Sequence, residues 1–363
     1  MRVYEVEFIQ ESPLLISQPS GESKILRHST KYIEGYTIRG SILTYINKEL
    51  KQDIKEEIIK PTLVFHPAYP KIKEKITRPA HPLLAQCKLC KGDDKIFPVI
   101  NRIEELEDFN IDKLNVIKCK KEHINSIEPI RGIPLAKIDE KYYEPEFKYQ
   151  SFDSVGINKY IRSSEIGMLY SYLALLPIHK EDALKQNTFI SKIIDTEDKL
   201  DKLLKEEEFE LFMGRGKSRG FGKFIVHIKL LNNYIEERSK TIESTLRKTN
   251  NILVLIALSP SFNLEINDDK LVSNLKLNID AEPYYIYKDK NYILTETKIV
   301  SGFSLKIAHG GIPRPRIISA GPGTLFFYKV TLDKVKELAI KELTGFGPLS
   351  YAGLNILEVL SDV

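Results

Sequence analysis

The chain has 363 residues, 42% hydrophobic and 29% charged, with a formal net charge of +4. That length suffices for about two domains with sizeable cores. So high a charged fraction, with no run of about 18 apolar residues, excludes a membrane-spanning protein. The mild net charge favours an anionic partner only through where the cations cluster.

Residues 1–8, Met-Arg-Val-Tyr-Glu-Val-Glu-Phe, alternate as a strand and lack the apolar block of a signal peptide, so a cytoplasmic location is expected. A second short run follows at 14–16. The apolar spacing of 42–50 predicts a helix with Ser41 as its N-cap. Residues 61–125 are rich in Pro and Lys, hold all three cysteines, and read as an insertion or small module. Residues 131–152 predict an irregular loop, 165–176 a buried strand closed by Pro177, and 199–212 a helix. A glycine loop at 214–223 leads into a strand at 224–230, and the polar stretch 231–250 reads as a linker. The second half opens with a strand at 252–258. It continues through a Gly/Pro-rich loop at 302–323, a strand at 325–330, a helix at 332–343, the glycines 345–353 and a last strand at 354–359.

Both halves thus end as helix, glycine loop, strand, as a chain folded twice from one plan would. The mixture of strands and helices predicts an α+β fold of two ferredoxin-like (RRM-like) domains with glycine-rich loops. The expected domains are 1–235, carrying the insertion 61–125, and 250–363.

The strongest local signal is Gly214-Arg215-Gly216-Lys217-Ser218-Arg219-Gly220-Phe221-Gly222-Lys223. Glycine lets the backbone approach a phosphate closely and adopt positive φ, and successive N–H groups can then form an anion-binding nest. The four cations supply long-range attraction to a polyanion. Phe221 offers a face for stacking a base. A Walker A loop would need glycine at position 211, which is Leu211, and a dinucleotide fingerprint would need it at 219, which is Arg219. A tight connecting turn is the bland alternative.

Cys87 and Cys90 form a C-x2-C knuckle, and Cys119 and His123 follow at C-x3-H spacing. Three thiolates and one imidazole suit a closed tetrahedral zinc site, structural rather than catalytic. His81 rivals His123 as the fourth ligand, and ordinary reduced cysteines or a redox pair are the alternatives. Of candidate catalytic groups, His28 can act as a general base near Arg27, Lys31 and Tyr32, or serve as an RNA contact. Asp153 can act on a bound strand or form a turn. No acidic cluster for two-metal catalysis is present.

The motif 214–222 followed by a strand resembles the C-terminal glycine-rich loop of RAMP-superfamily CRISPR-associated proteins. Gly35-Tyr36-Thr37-Ile38-Arg39-Gly40-Ser41 resembles their early motif before the first helix, in a different order. In the second half, Gly302-Phe303, Gly311-Ile312-Pro313-Arg314-Pro315 and Ala320-Gly321-Pro322-Gly323 are similar to the loops of type III subunits that hold the 5′ handle of the guide RNA, most like those of type III-D. The resemblance spares residues 61–125. It implies a non-catalytic RNA-binding subunit with CRISPR RNA, a large polymerase/cyclase-like subunit and backbone RAMP subunits as partners, and no membrane. It implies RNA contacts at Arg39, at 214–223, and at Lys306, His309, Arg314 and Arg316. The alternative is a metal-independent endoribonuclease that matures precursor RNA through His28.

Overall fold

A computed structural model describes residues 1–16, 26–90, 95–100, 105, 119, 121–123, 126–157, 164–179, 185–267, 270–286, 290–301 and 316–361. They form a mixed α/β fold of small, mostly antiparallel sheets. The chain divides into two compact units, Met1–Ile76 with Pro145–Leu230, and Thr77–Glu144 with Leu231–Val363. Composition attaches residues 61–125 to the first half, whereas contacts group most of that stretch with the second. Among the described residues, no helix is long and apolar enough to cross a membrane.

In the first unit the strand Arg2–Gln10 is central. Alternation buries Tyr4, Val6 and Phe8 on one face. It pairs antiparallel with Thr188–Asp195 on one side and Lys223–Leu230 on the other. Thr188–Asp195 pairs in turn with Leu63–Phe65 and Tyr69–Ile72, and Glu208–Phe212 extends the opposite edge. The helix Gly35–Lys48 lays Ile38, Ile42 and Ile46, four residues apart, on that core. This helix starts seven residues earlier than the spacing of 42–50 predicts, because the stripe extends back to Ile38. Ser41 therefore lies inside the helix, and Glu34 holds the N-cap position.

The predicted helix over 199–212 is a correction. Only Leu200–Leu203 is helical, and Glu208–Phe212 is a strand, since Phe209 and Leu211 are buried at a period of two. The expected loop over 131–152 contains Pro134–Ile138, Lys141–Tyr143 and the start of Phe147–Ile157. That last strand forms a long ribbon with Ser164–His179, which runs past Pro177 instead of ending there. Pro177 falls where the pairing slips, a place that needs no ladder N–H.

In the second unit Ile252–Ala257 is central, with every residue buried. It pairs antiparallel with Leu325–Lys329 and Leu357–Val359, and Glu282–Pro283 and Tyr292–Ile293 pair with Leu325–Lys329. Residues 231–250 are not a linker. They hold the helix Tyr234–Lys248, whose Ile242 and Leu246 join Leu338 and Ala339 of Val335–Thr344 on one face of the sheet. Its polar residues are the outer side of an amphipathic helix. The opposite face carries Val254, Ile256, Leu325 and Phe327, packed with Leu83 and Ile100.

Candidate nucleic-acid interface and metal centre

The glycine loop connects two strands, Glu208–Phe212 and Lys223–Leu230. Gly214, Gly216, Gly220 and Gly222 all have φ between 75° and 81°. Two of them also need the space. A Cβ on Gly214 would lie 2.6 Å from the Leu15 carbonyl oxygen, and one on Gly222 would lie 1.8 Å from that of Met213. Between Gly216 and Gly220, residues Lys217–Arg219 make a 3-10 turn. The loop is pinned to the chain leaving the central strand. The Arg215 N–H donates to the Leu15 carbonyl (2.9 Å), the Gly222 N–H to the Pro13 carbonyl (2.8 Å), and the Lys223 N–H to the Ser12 hydroxyl (2.8 Å).

These bonds leave the amides of Gly216, Lys217 and Ser218 without an acceptor among the described residues. Around them Arg215, Lys217, Ser218 and Arg219 are exposed. Lys217 is exposed as a whole residue, yet partial desolvation, and then the charge of Lys48, hold its ammonium below the usual lysine value. Lys223 differs from its neighbours. Glu210 (2.7 Å) and Glu11 (3.1 Å) flank it and hold its pKa up, so its charge is partnered by two carboxylates at the surface. The Phe221 ring is half-buried. It packs over Gly216 and meets Phe152 at 4.8 Å, edge to face. Arg219 donates to the Ser154 hydroxyl at 3.1 Å. Phe152 and Ser154 belong to the long ribbon, so both interactions tie the loop to it.

The ribbon separates the other candidate residues from the loop. Leu26–His28 adds a parallel third strand to Ser164–His179. Ser151, Leu173 and His28 lie in register, as do Asp153, Ser171 and Leu26. His28 and Asp153 therefore share one face, and Phe152 and Ser154, which meet the loop, stand on the other. Asp153 is in the strand and not in a turn, and accepts from the Ser171 hydroxyl at 2.5 Å. His28 is exposed.

A second loop repeats the first. Leu349 (φ 61°) and Gly353 (φ 74°) bracket a 3-10 turn, Ser350–Ala352, as Gly216 and Gly220 bracket theirs. The Asn355 N–H donates to the Pro260 carbonyl (3.0 Å) and the Ile356 N–H to the Ser259 hydroxyl (2.9 Å). Those bonds match Gly222 to Pro13 and Lys223 to Ser12. Registers agree as well, with Gln10 opposite Phe224 and Ala257 opposite Leu357. The glycine loop and following strand are thus repeated, but the helix before the loop is found only in the second unit. The signal legible in sequence was a Ser-Pro pair after each first strand.

The cysteine module assembles its four candidate ligands. Cys87 ends the strand Leu84–Cys87, which pairs with Ile96–Pro98 and Ile127–Pro129. His123 Nδ1 lies 3.5, 3.7 and 3.4 Å from the sulfurs of Cys87, Cys90 and Cys119, and Cys90 and Cys119 are 3.7 Å apart. All four ligand atoms lie within 4.8 Å of one another, so the group can hold a metal ion. His81 is outside this group. The Ser126 hydroxyl, then the Cys90 backbone N–H and the His123 ring, hold the Cys87 thiol down at about 5 against its burial. Burial and the adjacent sulfurs push Cys90 up to about 11.

No family model and no curated protein matches the chain. Solved structures do. A chain of the type III-B Cmr-beta complex bound to cognate target RNA is 12% identical, with 89% of this chain and 86% of that one covered and a TM-score of 0.47. A chain of the Csm3–Csm4 subcomplex of the type III-A CRISPR-Cas interference complex is 15% identical (91% and 93% covered, TM-score 0.41). A RAMP protein binding different RNA substrates is 11% identical (99% and 100%, TM-score 0.30). Its structural neighbours are type III CRISPR-complex and RAMP proteins.

Arg39 sits in the helix Gly35–Lys48 and donates to the Glu57 carbonyl at 3.0 Å, with its side chain 12% exposed. Its guanidinium is thus directed into the first unit. Lys306, His309 and Arg314 lie outside the described residues, and Arg316 starts the strand Arg316–Ala320. Leu15, Lys48, Phe152 and Ser154 are contributors that sequence alone missed, because none carries a motif of its own, and Ser12 is legible only as half of the repeated Ser-Pro pair.

Proposed function

We propose that the chain is a non-catalytic, RAMP-type subunit of a type III CRISPR effector complex that holds the 5′ handle of the guide RNA and docks the large polymerase/cyclase-like subunit and backbone subunits. The observation that carries this reading is the loop 214–223. Four left-handed glycines fix a backbone whose Gly216, Lys217 and Ser218 amides have no acceptor among the described residues and lie among Arg215, Lys217 and Arg219. The strand order of each unit supports a pair of ferredoxin-like domains, because the first strand lies between the last and an earlier one, Lys223–Leu230 and Thr188–Asp195 in the first unit and Leu357–Val359 and Leu325–Lys329 in the second. RNA is assigned to the loop and not to the first sheet, whose outer side sets Glu5, Glu7, Glu208 and Glu210 against Lys71, Lys192, Lys223 and Lys229. Changing Arg215, Lys217 and Arg219 together to Ala is expected to weaken guide-RNA binding by about 10- to 100-fold. It should also flatten the log–log salt slope by about 2, since each phosphate neutralised on a single strand contributes ~0.7 to that slope. Unchanged affinity and slope leave the loop as a turn.

The metal is assigned as structural zinc. Zn–S bonds of about 2.3 Å and Zn–N bonds of about 2.0–2.1 Å in a tetrahedron set edges of about 3.8 Å between sulfurs and about 3.5 Å between sulfur and nitrogen. Sulfur-to-nitrogen separations of 3.4–3.7 Å and the 3.7 Å between Cys90 and Cys119 are compatible with those edges. Cys87, Cys90 and Cys119 would bind as thiolates with His123 Nδ1 as fourth ligand, and a fully occupied tetrahedron leaves no open position for catalysis.

One observation favours a second reading, metal-independent RNA cleavage. His28 and Asp153 share an exposed face of the ribbon. Repeat RNA incubated with the protein in chelator decides it: cleavage abolished by His28→Ala supports an endoribonuclease, and intact RNA supports the binding role.

A further inference from the structure

The second unit's sheet is apolar on both faces. Two helices cover one. On the other, Ile252, Val254, Ile256, Leu325, Phe327 and Leu360 pack with Leu83 and Ile100 of the cysteine module. Leu83 is completely buried and Ile100 is 6% exposed. Both are joined closely to the ligand set. Leu83 directly precedes the strand Leu84–Cys87, and Val99 donates its N–H to the Leu83 carbonyl at 2.8 Å.

Among the described residues, the core around the ligands is small. Of the five buried residues in its own core, Ala85, Cys87, Cys90, Phe97 and Cys119, three are sulfur ligands. Its strands are three or four residues long, too short to be stable alone. Its root is fastened differently. Arg78 makes two hydrogen bonds to Glu358 of the last strand (3.0 and 2.8 Å), and the backbone of Gly323 approaches so closely that a Cβ there would lie 2.0 Å from the Ala80 carbonyl oxygen. The root therefore stays attached without metal, and Leu84 and Ile96 join it through Ala80, Ile130, Leu135 and Tyr142, so the ligands would act on the other side of the strand, where Leu83 and Ile100 meet the sheet.

We infer that zinc at Cys87, Cys90, Cys119 and His123 is the latch that keeps Leu83 and Ile100 on the second unit's sheet, so that metal loading sets the stability of that unit. This rests on the zinc assignment above. It makes the module a metal-dependent cover for the C-terminal fold and not an independent finger.

The test uses the full chain. Zinc content is measured before and after a tight chelator, and hydrogen exchange is followed in Ile252–Ala257, Leu325–Lys329 and, as a control, Arg2–Gln10. Chelation is expected to remove one zinc per chain and speed exchange in the first two strands by on the order of tenfold or more, with the control unchanged. Leu83→Ala is expected to keep its zinc and show the same acceleration, since it removes the cover and spares the ligands. Zinc removed with exchange in both strands unaltered overturns the latch and leaves the zinc site standing. An untreated chain without zinc overturns the zinc assignment and the latch with it.

Discussion

The loops 214–223 and 347–356 follow one backbone course. Each has a 3-10 turn between left-handed residues and amides tied to a Ser-Pro pair after the central strand. The first shows solvent Arg215, Lys217, Ser218 and Arg219. In the second the equivalent turn carries Ser350, Tyr351 and Ala352, with Ser350 and Ala352 buried. Asn355, completely buried, stands where the first loop has Gly222. It accepts from the Phe262 N–H and donates to the Pro348 carbonyl, both at 2.7 Å. The same fold element is thus a basic surface in one unit and an internal brace in the other. Backbone geometry supplies the scaffold, and side chains decide whether it faces a polyanion.

The largest effect expected from breaking this parallel is at Gly222. A methyl group there would collide with the Met213 carbonyl, so Gly222→Ala should cost about 3 kcal/mol or more and abolish RNA binding, seen as a lowered melting temperature and lost affinity. Gly220→Ala sharpens the point. Nothing lies within 4 Å of that position, so only the left-handed φ is penalised, by about 1 kcal/mol. Equal costs at the two positions would refute the close-approach argument.

In the second loop, Asn355→Ala should cost about 2 kcal/mol by stranding one buried and one part-buried backbone group, yet leave the salt slope of RNA binding at its wild-type value. Denaturant unfolding and salt titration separate the two. A changed slope would make the second loop an RNA contact too. The smallest effect concerns pH. Lys217 has a lowered pKa, so it loses its charge at lower pH than an ordinary lysine. Affinity should fall as pH rises through that range, and Lys217→Arg should shift the fall to higher pH because guanidinium stays protonated. Superimposable pH profiles would remove Lys217 from the phosphate contacts.

How much was legible depended on range. Residues 2–10, 252–257, 325–329 and 335–344 carry their own periodicity, so their type followed from neighbouring residues alone. Cys87, Cys90 and Cys119 were readable as candidate metal ligands because thiols at knuckle spacing have few other uses, whereas the choice of His123 over His81 came from the structure. The glycines of 214–223 declared a left-handed backbone, since other side chains resist it. Tertiary structure alone decided the rest. It made 208–212 a strand because Lys223–Leu230 offered an edge, and 234–248 a helix because the second sheet had an apolar face to cover. It turned Arg39 and Lys223 toward carboxylates of the first unit, set Phe221 against Phe152, and placed His28 and Asp153 on one face of a ribbon, two strands apart. Each outcome depends on partners tens to hundreds of residues away, and the energy of an interaction is fixed by what the side chain meets, which local composition does not encode.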